Sequence, residues 1–126
     1  MSLNLRIIDP SEFINLTQEG TFAKNECIDA LRKLVVLGRS SNILIDFRKT
    51  IFQNVSHLDM VDIVDYMVNE QDTFSGNKIG ILLSSNQLRD PEEFFEKYSR
   101  KKGLIVRVFD SYESAIEWLS KSSTVI

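Results

Sequence analysis

Apolar and polar positions change their period several times along the chain, and each change marks a new element. Leu3, Leu5 and Ile7 alternate with Asn4, Arg6 and Ile8, the pattern of a half-buried strand that Asp9-Pro10-Ser11 then turns. Phe13, Ile14 and Leu16 form a second β-prone run that stops at Glu19-Gly20, so an antiparallel hairpin is expected at one end of a sheet. The period then becomes helical. Cys27, Leu31, Leu34 and Val35 share a face, Lys24, Asp29, Arg32 and Lys33 fall between them, and Gly38 stands where the helix should end.

Ile43-Leu44-Ile45-Asp46-Phe47 is too continuously apolar for a strand with one wet face, which predicts a central strand covered on both sides. Ser56 precedes Asp59 by three residues, a capping-box variant, and opens a helix whose apolar face is Met60, Ile63, Val64, Met67 and Val68. After Ser75-Gly76-Asn77, Lys78 to Ser84 repeats the buried-strand pattern. Asp90-Pro91-Glu92-Glu93 supplies a helix start, and Arg100-Lys101-Lys102-Gly103 an end. Leu104 to Phe109 is the last strand, and Asp110 with Glu113 is expected to cap a closing helix through Ala115, Ile116 and Leu119. The order is β-β-α-β-α-β-α-β-α. Helical crossovers of this length require the last four strands to run mostly parallel.

The fold class is therefore α/β, with a mixed, mostly parallel sheet of about five strands covered by helices. The chain has 126 residues, which fits one domain over 1–126, with 120–126 expected as a loosely held tail. Fifteen basic and 18 acidic residues are mixed along the sequence, so its net charge of -3 builds no field for nucleic acid. No apolar run approaches the roughly 20 residues of a membrane span, and no signal-peptide pattern begins the chain, so the expected location is the cytoplasm. The one cysteine, Cys27, falls on an apolar helix position.

The order of elements resembles that of the STAS-like, or SpoIIAA-like, domains, the fold of anti-sigma factor antagonists and of the cytoplasmic tails of sulfate transporters. Two local runs carry the resemblance best: Ile43-Leu44-Ile45-Asp46-Phe47-Arg48, similar to the central strand and its Asp-x-Arg, and the run from Val108 to Leu119, similar to the closing strand and helix. In the antagonists a serine at the start of the helix after the central strand, within Asp-Ser-Ser-Gly, is phosphorylated by a partner kinase. Asn54-Val55-Ser56-His57 occupies that place here. The resemblance thus implies Ser56 as a switch, while the acidic residue, the first serine and the glycine of the run are replaced.

Other constellations admit two readings each. Asp46 and Arg48 end the central strand, two residues apart on one face; with Ser84, Ser85 and Arg89 after the next strand they form a candidate ligand or anion pocket, or else a structural ion pair beside a polar loop. Asp59, Asp62 and Asp65 line one side of the second helix, as a candidate partner surface or a solvated face. Their spacing does not suit a calcium loop, and His57 is the single histidine, so no metal is expected. Phe94, Phe95, Tyr98 and Trp118 are a candidate aromatic cluster. Gly-rich phosphate loops, nucleotide fingerprints and Cys-x-x-Cys are missing. The sequence favours a non-catalytic regulatory or protein-interaction domain that needs no cofactor and binds a protein partner. A small-molecule or anion-binding domain is the alternative, and a homodimer without ligand is the third reading.

Overall fold

The computed structural model of the chain describes residues 2–9, 13–38, 41–53, 55–84 and 90–120. Its strands are β1 (Ser2–Asp9), β2 (Phe13–Thr21), β3 (Asn42–Ile51), β4 (Lys78–Leu82) and β5 (Ile105–Phe109). The helices are α1 (Lys24–Val36), α2 (His57–Asn69), α3 (Gln71–Phe74), α4 (Asp90–Lys101) and α5 (Tyr112–Ser120). All five strands join in one sheet, in the spatial order β1-β2-β3-β4-β5. β1 pairs antiparallel with β2, and β2 to β5 are four parallel strands, as the hairpin and crossover expectations require.

The continuous apolar run in β3 is explained by two covered faces. Ile43, Ile45 and Phe47 join the larger core with Ile79 and Ile81 of β4, Leu31 of α1, Ile63 of α2 and Phe95 of α4. Leu44 and Leu82 point the other way, into a smaller core closed by Phe13, Ala115 and Leu119. α1, α2, α3 and α4 therefore pack on one face and α5 on the other. Gly80 permits the closest approach on the α5 side: a Cβ there would lie 3.4 Å from Leu44 Cδ1 and 3.6 Å from Leu119 Cδ1.

α5 is anchored at its C-terminal end, where helix carbonyls lack partners of their own. Asn42 Nδ2 donates to the Leu119 carbonyl at 2.9 Å and Lys78 Nζ to the Trp118 carbonyl at 2.8 Å. Asn42 Oδ1 also accepts from the Lys78 amide at 2.8 Å, so one side chain ties β3, β4 and α5 together.

Four details correct the sequence reading. β3 does not end at Arg48 but runs to Ile51: from the Thr17–Asp46 pair to the Glu19–Lys49 pair β2 advances two residues and β3 three, and the ladder then continues through Gly20–Thr50 and Thr21–Ile51. A short extra helix, α3, follows α2; Thr73 and Phe74 are buried in it, and its four residues are too few to show a helical period. The closing helix starts at Tyr112, and the Ser111 hydroxyl, rather than Asp110, accepts from the Ser114 amide at 3.3 Å. The aromatic cluster is divided: Phe94 stacks on Tyr98 with 5.7 Å between ring centroids, Phe95 is in the larger core, and Trp118 packs on Phe109 across the sheet. Gly38 and Gly103, at φ +69° and +91°, occupy the left-handed conformation expected past a helix end. The tail from 121 to 126 lies outside the described residues, and no helix among those described is long and apolar enough to cross a membrane.

Candidate functional site

Ser56 is the exposed residue that starts α2. Its extended backbone, φ -100° and ψ 163°, turns the hydroxyl toward the first helical turn, where Oγ accepts from the Asp59 amide at 3.2 Å. Asp59 Oδ2 reciprocates by accepting from the Ser56 amide at 3.1 Å. The capping box expected from the three-residue spacing is thus complete: Asp59 gives the Ser56 amide an acceptor, and Ser56 Oγ shares the Asp59 amide with the Ser56 carbonyl, 3.1 Å away. The Asp59 carboxylate also lies at the positive end of the helix dipole.

Asp62 and Asp65 face the two helices flanking α2. Lys24, from the first turn of α1, donates to Asp62 Oδ2 at 2.8 Å, and Tyr98 of α4 donates its hydroxyl to Asp65 Oδ1 at 3.1 Å. The three acids share one helix with three distinct jobs: cap, α1 seam and α4 seam. The hydrogen bond and charge of Asp62, with Asp59 adding, hold the Lys24 ammonium above its ordinary pKa of 10.5. His57, the next residue after Ser56, lies flat on Phe94, 4.3 Å between centroids and 2° between planes. The Phe94–Tyr98 stack continues this column, and Lys102 Nζ lies 5.4 Å from the Tyr98 ring centroid. The helix tip is therefore built from α2 and α4 together.

Asp46 and Arg48 do meet, on the α5 side of the sheet. Asp46 Oδ1 accepts from both the Arg48 amide and Nε at 3.0 Å, and Oδ2 accepts from Nη2 at 2.8 Å. This planar, two-pronged pair sits where the β2–β3 register shifts, so the carboxylate takes up the Arg48 amide at the irregularity. Asp46 raises the Arg48 pKa, by hydrogen bond first and charge second. The outer guanidinium packs over Tyr112, 5.5 Å from the ring centroid. Ser84 follows β4 at the same edge and is half-buried, whereas Ser85 and Arg89 lie outside the described residues. Within the described part, the geometry of Asp46 and Arg48 is that of a pair whose charges answer each other.

Sequence reasoning identified Ser56 and its cap. It missed Lys24, Tyr98 and Phe94 as neighbours of the site, since they come from α1 and α4 and no local spacing announces them.

No protein-family model matches the chain, and no curated protein matches it in sequence. Solved structures do match in shape. The anti-sigma factor antagonist SpoIIAA in its unphosphorylated form superimposes with a TM-score of 0.58 at 15% identity, over 93% of this chain and 96% of that one. An uncharacterized DUF3478-family protein with a SpoIIAA-like fold, from Shewanella loihica PV-4, gives 0.57 at 10% identity, over 94% and 92%. Identities this low speak for architecture and leave activity to the site itself. From the β1–β2 hairpin to α5, the chain has the SpoIIAA-like fold.

Proposed function

We propose that residues 1–126 act as one non-catalytic regulatory domain of STAS type, that the tip of α2 binds a protein partner, and that phosphorylation of Ser56 controls the binding. One observation carries this reading: the Ser56 hydroxyl is exposed, yet it is engaged in a reciprocal cap with Asp59. A phosphate added there brings close to two negative charges against the Asp59 carboxylate, so the two cannot keep the present geometry. The phosphate itself suits the positive end of the helix, and it replaces Asp59 as the cap. The tip already carries the Asp59 carboxylate and, one turn on, the Asp62–Lys24 pair, and phosphate makes it more negative.

The fold shared with an anti-sigma factor antagonist supports a role in protein interaction. A partner that docks on the unmodified tip meets an uncharged hydroxyl, the His57 ring and the exposed Leu58 side chain. A cytoplasmic setting, where kinases and partners are present, fits this function. The test is intact-mass and peptide mass spectrometry on the chain purified from its native cells. Phosphate on Ser56 is the expected result; its absence under every growth condition removes the switch.

A further inference from the structure

β5 is the outermost strand on one side of the sheet, so half of its backbone groups have no strand beside them. The Leu83 amide donates to the Phe109 carbonyl at 2.9 Å, which turns the backbone groups of Phe109, and by alternation those of Arg107 and Ile105, toward β4. Leu104, Val106 and Val108 then present theirs outward. Two of these three outward amides are taken: Leu104 donates to the Ser99 carbonyl at 3.0 Å, and Val108 donates to Glu96 Oε2 at 3.1 Å. The Val106 amide has no acceptor among the described residues.

This open stretch is the floor of a groove of about 430 Å³, walled by Arg100 and Gly103 at the end of α4 and by Trp118 of α5, with Leu104, Ile105, Val106 and Arg107 between them. Charge decides what fits there. The Arg107 side chain is exposed, lies 5.8 Å from the Phe109 ring centroid and has no carboxylate partner among the described residues. Arg100 reaches Glu96 Oε2 at 3.5 Å, the same oxygen that receives the Val108 amide. One carboxylate is therefore already held against this edge by a strand amide and an arginine together. A second copy of β5 would instead bring another Arg100 and Arg107 beside the first pair, and residues 121–126 supply no acidic side chain.

We propose that this edge takes up an extended acidic segment of a partner protein as an antiparallel sixth strand. One residue of that segment satisfies Val106 twice, by donating to its carbonyl and accepting from its amide. The residue before it faces Arg107 on the α5 side of the sheet, where a carboxylate answers the guanidinium. The residue after it faces Ile105, 42% exposed, beside Trp118, where an apolar side chain is covered. The recognised pattern is acidic, any, apolar. The groove shares no residue with the Ser56 tip, so its occupant and the switch are independent of each other.

Trp118 is the single tryptophan of the chain, so its fluorescence reports on the groove. The probe is the peptide Ser-Thr-Glu-Thr-Ile-Thr-Ser, acetylated and amidated so that the glutamate is its one charge. Two control peptides replace that glutamate by lysine or methylate the backbone nitrogen of the central threonine. The glutamate peptide should change Trp118 emission saturably and slow hydrogen exchange at the Val106 amide, which is fast in the chain alone. Either control should bind about tenfold more weakly. Arg107→Glu, a change at an exposed position, should reverse the choice between the glutamate and lysine peptides. The proposal is overturned if the glutamate peptide leaves Trp118 and Val106 unchanged, if the methylated peptide binds equally well, if folded Arg107→Glu keeps the parent preference, or if the chain alone is a dimer in which the Val106 amide is already protected.

Discussion

Lys24 and Asp62, 38 residues apart in sequence, meet at 2.8 Å and join the start of α1 to the face of α2 that also carries Asp59. Through this contact the first two helices hold the α2 tip in register with the sheet edge where β2 and β3 end. On the far side Tyr98 does the same from α4 by donating to Asp65. The tip is thus a platform made by three helices, with Ser56 as its exposed corner.

Removing the cap should loosen this platform locally. Ser56→Ala is expected to lower stability by about 1 kcal/mol in urea unfolding, with Ser56→Gly and Ser56→Thr closer to the parent. The unfolding slope should not change. Loss of amide-exchange protection confined to the first turn of α2 is the accompanying signature.

The pair on the α5 side predicts an asymmetry. The Asp46 side chain is 11% exposed, whereas that of Arg48 is 45% exposed, so either deletion leaves a different orphan. Arg48→Ala abandons a buried carboxylate that keeps, among the described residues, one amide donor, and should cost about 1–3 kcal/mol. Asp46→Asn leaves an arginine that water can still solvate and an amide oxygen that can still accept from the Arg48 amide, so the loss should be smaller. Denaturant titrations of the two variants decide the order. Equal stability of Arg48→Ala and the parent would remove the structural role assigned to the pair.

Much of this was written locally in the sequence. The buried runs from Ile43 and Ile79 pair Ile43 with Ile79, and the next pairing sets Lys78 beside Ile105, because continuous branched residues tolerate only a doubly covered strand. The Ser56–Asp59 cap and the left-handed turn at Gly103 were equally legible, since each depends on residues within one turn. What spacing could not reveal is non-local. Asp59, Asp62 and Asp65 form a plain stripe along α2, and only packing assigns Asp62 to α1 and Asp65 to α4. The extension of β3 to Ile51 depends on a register shift against β2.

The buried thiol gives a pH prediction. Burial raises Cys27 from 9.0 to about 12, so the folded chain holds this proton more tightly than the unfolded chain does. Below pH 9 both states are protonated and the group contributes no slope. From pH 9 to about 12 the unfolded thiol ionises first, and stability falls with rising pH by an amount on the order of a few kcal/mol. The difference in unfolding free energy between the parent and Cys27→Ala should therefore shrink across that window, since the variant lacks the titration. A constant difference would contradict the assignment. At pH 8 a thiol reagent should modify Cys27 only at the rate of opening.

The central claim is tested most directly by capture from lysate of the native cells with two forms of the intact chain, one unmodified and one carrying phosphoserine installed at position 56. The account predicts at least one protein retained by the unmodified chain and lost on the phosphoserine form, with both forms equally folded by circular dichroism. Identical sets of captured proteins from the two forms would contradict it.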